Sequence, residues 1–484
     1  MAKKIMLLYP PGKAYQRGED RAQCNLEESV VATIHACNDL GYGASVLRQR
    51  GYEVSLRDYQ TEKAGLDRIQ KEISSFAPDA VVLSTTSGAV CADLEFLKWV
   101  AAFHICKVVL KGAIFYDISP KLLTTLDLTC VDYLVGGELD VIIGDLMDAA
   151  LCEKGHPGDV PGILYKENGA FQKTSFDRWF DDLDTIPFPA RDLMKNELYP
   201  RPDTGEPMAT IQVARGCPCR CTYCLTPIIS GRSVRKRSID NIFSEIEECF
   251  YQYGIKNFFF RADTFTIDEQ WAEALCDRII RSELHGKIEF TVNARATSLT
   301  QELLRKLKNA GCFTIAVGFE SGNDNTLRKI QKGATREDNI RAAKLIKAAQ
   351  IPLFGFFMIG FPWESRQDIV DTLRFMFEID PDFIEVHIAM PYYGTQLYAE
   401  SNAYHTIKTA AWGSDYFFPN TIGTQTVPMA DIQKMKRRFV LGFYLRPKYI
   451  LRKMAEGLRN PMIAKNYIVH GFKLLRKAFL PKQW

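Results

Sequence analysis

Two long stretches of the chain alternate short aliphatic and β-branched runs with segments whose apolar positions recur every three or four residues. In the first, residues 1–152, candidate strands fall at 5–9, 53–58, 80–84, 108–111 and 133–135, with amphipathic helical stretches at 26–50 and 66–76. Such alternation predicts an α/β domain with a doubly wound parallel sheet, Rossmann-like in plan. In the second, residues 208–400, candidate strands fall at 210–214, 257–260, 289–293, 314–317, 354–358 and 383–387, with helical stretches such as 238–251 and 300–310. Six βα units predict a partial (β/α)6 barrel, since a closed one needs eight.

Between them, residues 153–207 read as a linker with a hairpin, strand-like at 162–165 and turning at Asn168-Gly169. Pro187 and Pro189 forbid regular helix or central strand there, so this part is expected to lie across a surface. The remainder, 401–484, is expected to be basic and mainly helical. Strands of the first stretch end in small or turn-forming residues: Pro11 and Gly12, then Ser84, Thr85 and Thr86, Gly112, and Gly136, Gly137 and Glu138. Open α/β sheets bind ligands at the carboxyl ends of their strands, and small residues there let a large ligand approach the backbone.

Composition adds a class and a compartment. A 484-residue chain that is 46% hydrophobic and 25% charged is globular. No apolar run approaches the ~20 residues of a membrane span, and the first residues lead into a strand-like run, so a cytoplasmic protein is expected. The net charge of +3 hides an asymmetry: residues 431–484 carry fourteen Lys or Arg against Asp431 and Glu456, and the rest is net negative. A basic tail of alternating aromatic, aliphatic and cationic residues suits an amphipathic helix on an anionic surface, peripheral at the inner membrane, or over a lipid-like substrate; packing on the barrel is the alternative. Nucleic acid is not expected, because no recognition module accompanies the charge.

Nine of the thirteen cysteines (Cys24, Cys37, Cys91, Cys106, Cys130, Cys152, Cys249, Cys276 and Cys312) are scattered, as small buried hydrophobes of a reducing compartment would be. The other four lie within eight residues. Cys217, Cys221 and Cys224 are spaced C-x3-C-x2-C, directly after the first strand of the second stretch, on the face where barrel active sites are built. Three thiolates can hold three irons of a cubane and leave the fourth open to an exogenous ligand. A zinc site with Cys219 as fourth ligand is the alternative, but so tight a cluster strains a tetrahedron. Cys219 reads as a bystander or a supporting thiol.

With Tyr223 ahead of the last cysteine, the motif resembles that of the radical S-adenosylmethionine (SAM) superfamily. The resemblance implies a [4Fe-4S] cluster on the three cysteines, SAM on the open iron, and reductive cleavage to a 5′-deoxyadenosyl radical. It carries over to further SAM contacts: Tyr223, Asp263, Asn293, Arg295, Glu320 in Gly318-Phe319-Glu320-Ser321-Gly322, and Gly360 in the glycine/proline run 355–362. The family usually has two consecutive acids where this chain has Ala262-Asp263, and Asp263 also reads as part of a helix start ahead of Asp268 and Glu269.

The leading Rossmann-like domain and the segment Ile186-Pro187-Phe188-Pro189-Ala190-Arg191-Asp192 resemble the cobalamin-binding branch, over residues 1 to about 400. His35, His104 and His156 all lack the D-x-H-x-x-G context, so the resemblance implies base-off cobalamin without a histidine ligand, held by Pro11, Gly12, Ser84, Thr85, Thr86, Gly112, Gly136, Gly137 and Glu138. The implied activity is methylation of an unactivated carbon of a small-molecule or lipid-like substrate by methylcobalamin, after hydrogen abstraction by the radical. A second SAM would remethylate the corrinoid, and an external one-electron reductant of flavodoxin or ferredoxin type would drive the cluster. The alternative within the branch is an oxidative cyclase or ring-rearranging enzyme, like the anaerobic cyclases of tetrapyrrole synthesis. From another class, a non-catalytic iron-sulfur or zinc protein would use the barrel as a scaffold. Tyr392, Tyr393, Trp412, Tyr416, Phe417 and Phe418 are candidates to line a substrate pocket.

Overall fold

The computed structural model describes residues 2–17, 34–116, 118, 120–176, 179–407, 422–459 and 461–479. Cys24, the first part of the helical stretch at 26–50, and the pocket candidates Trp412, Tyr416, Phe417 and Phe418 lie outside the described residues.

Five parallel strands build the first sheet: β1 (Lys4–Tyr9), β2 (Glu53–Asp58), β3 (Ala80–Ser84), β4 (Lys107–Lys111) and β5 (Tyr133–Val135). The order β2-β1-β3-β4-β5 reverses direction between β1 and β3, which is where doubly wound sheets bind ligands. Both faces are buried, as parallel sheets require: Ile5 and Leu7 enter one core, Met6 and Leu8 the other. The expected hairpin forms as β6 (Ile163–Glu167) and β7 (Ala170–Lys173), with Asn168 and Gly169 both at positive φ, 48° and 83°. It does not sit in a linker. β6 pairs antiparallel with β5 and extends the sheet to seven strands, so the connector is shorter than 153–207 and follows Lys173.

The second sheet has six parallel strands in sequential order: β8 (Met208–Gln212), β11 (Asn257–Arg261), β12 (Glu289–Ala294), β13 (Cys312–Glu320), β14 (Leu353–Ile359) and β15 (Phe383–Ile388). A short ladder of β9 (Ala214–Arg215) and β10 (Arg235–Lys236) stands at its start. The sheet does not close, since the edges β8 and β15 are not hydrogen-bonded to each other. Ile384 and Val386 pack outward against the helical layer, so the intervening Phe383, Glu385 and His387 face the lumen.

One part of the chain differs from expectation, and another follows the alternative given for it. The segment around the two prolines is not a surface strap: Arg191 is 1% exposed and donates to the Thr210 carbonyl at 2.9 Å and to Glu245 at 2.6 Å. Asn38 of helix Asn38–Gln49 donates to the same carbonyl at 2.7 Å, so both halves grip β8. The tail, in turn, packs on the barrel. Its helices Pro447–Arg459 and Pro461–Phe479 lie across the open seam: Tyr449 Oη donates to the Asp382 carbonyl beside β15, and Asn466 Nδ2 to the Asp203 carbonyl ahead of β8, at 3.1 and 2.7 Å. No described helix is long and apolar enough to cross a membrane.

Candidate active site

The cysteine loop hangs from the β9–β10 ladder, in which Arg215 faces Arg235. Gly216 turns the chain into the loop at φ 88°, and a Cβ there would lie 1.9 Å from the Ser233 carbonyl oxygen, so only glycine fits. Cys217 N–H then donates to the Gly231 carbonyl at 3.2 Å, and Thr222 is held between Ile330 and Leu397 by backbone hydrogen bonds. The thiol of Cys219 hydrogen-bonds to Cys217 and, against the opposing effect of burial, pulls its pKa down to about 5, toward the thiolate that metal ligation needs.

Asp263, just past β11, ties both ends of the loop. Its Oδ2 accepts from Gly216 N–H at 2.7 Å and its Oδ1 from Thr226 Oγ1 at 3.1 Å. It does not cap the following helix, a role taken by Asp268, which accepts from Trp271 N–H. Thr226 N–H in turn reaches Cys224 Sγ at 3.5 Å. Arg295, one residue beyond β12, donates from Nη1 to Cys221 Sγ at 3.7 Å and from Nη2 to the Lys332 carbonyl. Asn293 sits two positions earlier, in register with Ala316 of β13.

Glu320 ends β13 in the left-handed region at φ 63°, an uncommon conformation for a glutamate, where the register of β13 against β14 shifts. Its carboxylate pairs with Lys332 Nζ at 2.7 Å, and both side chains are more than nine-tenths buried. Lys332 Nζ also lies 3.3 Å from Tyr223 Oη. A Cβ on Gly318 would fall 2.3 Å from Glu320 Oε1 and 3.0 Å from Lys332 Nζ, so that glycine makes room for the ion pair. The sequence pattern does not single out Lys332. It follows the helix Asp324–Lys329 in a turn with Gln331 and Gly333 at positive φ, and only its Lys-Gly pairing hints at it.

Gly360 ends β14 at φ 84°, and its N–H and that of Phe361 donate to Glu364 Oε2 at 2.7 and 3.1 Å. Glu364 is fully buried, and burial outweighs these donors to push its carboxyl up to about 8. Its Oε1 accepts from Thr326 Oγ1 at 3.2 Å.

The strand-end residues of the first sheet divide. Ser84 Oγ donates to Asp39 at 2.8 Å and Thr85 Oγ1 to Asp93 at 2.5 Å, so both hydroxyls serve a buried polar network that also holds Arg17 and Lys111. A Cβ on Gly112 would press on Thr85, and one on Gly136 would fall 2.4 Å from the Tyr116 nitrogen, so these two glycines answer to the chain's own packing. Gly137 packs near Ile142. Glu138 is not open to a ligand: both oxygens pair with Arg235 at 2.7 and 2.9 Å, and Arg215, 3.5 Å away, binds Asp140 at 2.5 and 3.1 Å. It is a buried clamp between the first domain and the stem of the cysteine loop. What remains is Pro11 and Gly12 beyond β1, with Gly12 at φ 118° in open space, and Thr86 beyond β3, whose hydroxyl is fully buried without a hydrogen-bond partner among the described residues. From the same edge Ala89 and Ala113 meet Leu225 and Ile229 of the cysteine loop and Tyr392 after β15. The other pocket candidate, Tyr393, instead packs against the first domain's core.

Comparison with known proteins matches the fold. Residues 211–376 match the Radical SAM superfamily. An uncharacterized methyltransferase of Pyrococcus horikoshii is 29% identical over 94% of this chain and 95% of its own length. The radical S-adenosylmethionine methyltransferase TsrM of Kitasatospora setae, solved with tryptophan and a SAM analogue, shares the fold at a TM-score of 0.65 and 17% identity, over 84% of this chain and 78% of that one. The cobalamin-dependent SAM radical enzyme OxsB does so at 0.62 and 19%, over 84% and 55%. Residues 211–376 thus carry a radical SAM domain.

Proposed function

We propose that the protein is a cobalamin-dependent radical SAM methyltransferase acting on an unactivated carbon of a small molecule. The observation that carries this is the convergence of Cys217, Cys221 and Cys224 with Arg295, Lys332 and Glu320 at one end of the six-stranded barrel, facing the ligand-binding edge of a doubly wound sheet.

The donor set fits a cubane with one open iron: three cysteines on one loop, a thiolate-favouring neighbour, and N–H donors from Arg295 and Thr226 to two of the sulfurs. When bound, the cluster supplies the electron that breaks a carbon–sulfur bond of SAM. Lys332 and Arg295 offer cations to the carboxylate of that cosubstrate, Glu320 accepts from its ribose hydroxyls, and the backbone turn at Gly360 borders its adenine. Asp263 holds the loop rather than only the amino group, because its oxygens already bind Gly216 and Thr226. For the corrinoid, Pro11, Gly12 and Thr86 offer open backbone and an unsatisfied hydroxyl at the strand switch point. It supplies a methyl group to the substrate carbon, and the apolar contacts of Ala89 and Ala113 with Leu225 and Ile229 keep water from that junction. The reading includes an external low-potential reductant and contact of the basic tail with a membrane surface.

Anaerobic reconstitution with iron and sulfide tests it. The protein is expected to turn brown, to bind hydroxocobalamin with its corrinoid absorbance, and on reduction to convert SAM to 5′-deoxyadenosine. The Cys217→Ala, Cys221→Ala, Cys224→Ala variant is expected to keep the corrinoid and lose the cleavage. Cleavage that survives in this variant would refute the assignment.

A further inference from the structure

The two tail helices show one face to the barrel and another to solvent. Tyr449, Arg452, Lys453, Asn466 and Tyr467 are turned inward, with Arg452 near Asp380 and Asp382 and Lys453 over the Phe383 ring at 4.3 Å. Gly457 and Ala464 let the helices approach closely, since a Cβ on the glycine would stand 3.0 Å from the alanine methyl. The outward face carries Leu451, Met454 and Leu458 on one helix, and Met462, Ile468 and Phe472 on the other, between 53% and 88% exposed. The spacing 451, 454, 458 is one helical stripe, and 468 and 472, four residues apart, form a second on the neighbour, with Met462 about a third of a turn away. These six account for nearly half of the large exposed hydrophobic side chains among the described residues. Soluble surfaces rarely leave so much apolar area contiguous without a use.

Charge says which use. Lys448, Lys465 and Lys473 are exposed on the same faces, Lys448 with 87% of its side chain in solvent. The one acid of these helices, Glu456, is engaged by Lys453 and Tyr467. Long aliphatic side chains bordered only by cations match a bilayer whose headgroups are anionic and whose acyl boundary takes up the apolar residues. A nucleic acid would use the cations and leave the aliphatic stripe in water.

We propose that the outward face of helices Pro447–Arg459 and Pro461–Phe479 docks on an anionic bilayer surface. This specifies the membrane contact in the functional reading above, and it adds an orientation. The inward face grips Asp382 and Asp203, which precede β15 and β8, so the docking face lies toward the rim opposite Cys217 and Glu320. Docking therefore anchors the enzyme with its catalytic end turned away from the bilayer.

Vesicle co-sedimentation of the reconstituted full chain tests this without turnover, so its failure leaves the radical chemistry standing. Vesicles of phosphatidylcholine with about one-third phosphatidylglycerol are expected to bind the protein, and pure phosphatidylcholine is not. The Leu451→Gln, Met454→Gln, Leu458→Gln variant alters only exposed positions and is expected to weaken binding at least about tenfold with unchanged circular dichroism. Lys448→Gln, Lys465→Gln, Lys473→Gln is expected to weaken it about as much and to flatten its salt dependence. Equal binding to neutral and anionic vesicles, wild-type binding by both variants, or capture by single-stranded RNA with no vesicle binding would each overturn the proposal.

Discussion

Asp140→Asn isolates the clamp under the cysteine loop. Asp140 and Arg215 are each 2% exposed in their side chains, and the pair is bidentate. The substitution keeps the shape and removes one negative charge, leaving Arg215 and Arg235 to share Glu138, which is already bidentate to Arg235. Arg215 then loses its bidentate partner in a buried site, which costs about 3–5 kcal/mol when one partner of such a pair is removed. The neutral double variant Arg215→Met, Asp140→Leu removes both charges, and its cost is expected to fall short of the sum of the singles by about 2 kcal/mol or more. Urea unfolding with intrinsic fluorescence reads stability, and iron content after reconstitution reads the loop, because Arg215 adjoins Gly216 and Cys217. A loss below about 0.5 kcal/mol in Asp140→Asn, or strict additivity in the cycle, would show that the pair is not the desolvated clamp described here.

Two more perturbations probe the rim of the site. Gly318→Ala puts a methyl group 2.3 Å from Glu320 Oε1 and should displace the Lys332 pair, so SAM affinity measured by equilibrium dialysis is expected to drop about tenfold or more, the scale of one charge-assisted contact. Unchanged affinity would remove Glu320 from the SAM site. Glu364→Gln mimics the neutral carboxyl; because a folded pKa of about 8 lies above the unfolded value near 4.5, this group's stabilisation is full below about pH 4.5 and lost as pH rises through 8. The variant is expected to be as stable as the parent near pH 4.5 and progressively more stable than it as pH rises toward 8, as followed by urea midpoints. A loss of about 2 kcal/mol or more at pH 6 would mean an anion that the Gly360 and Phe361 N–H groups require.

Local pattern carried most of the fold. The strands expected at 53–58, 80–84 and 133–135 form with those bounds, because alternation of side chains and the polar turns after them are written in adjacent residues. What the sequence hid was pairing across domains. Arg191 lies in a proline-rich segment that reads as a surface strap, and only the folded chain reveals Glu245 and the Thr210 carbonyl as its partners. Glu138 ends a strand among glycines, as a ligand contact would, yet two arginines more than seventy residues away hold it. The cysteines were legible because their spacing is itself the chemistry. Lys332 was not, because its value depends on Glu320 turning back through a left-handed residue.

The unclosed seam between β8 and β15 has a consequence for lumen size. In a closed barrel the strand number and shear fix the radius, and widening it means breaking a hydrogen-bonded ladder. Here the two edges are spanned by tail side chains, chiefly Asn466 on the Asp203 carbonyl and Tyr467 against Phe383. The seam is therefore bridged by side chains of the tail helices and not by strand register, so the position of those helices, rather than a rung of the sheet, bounds the lumen on that side.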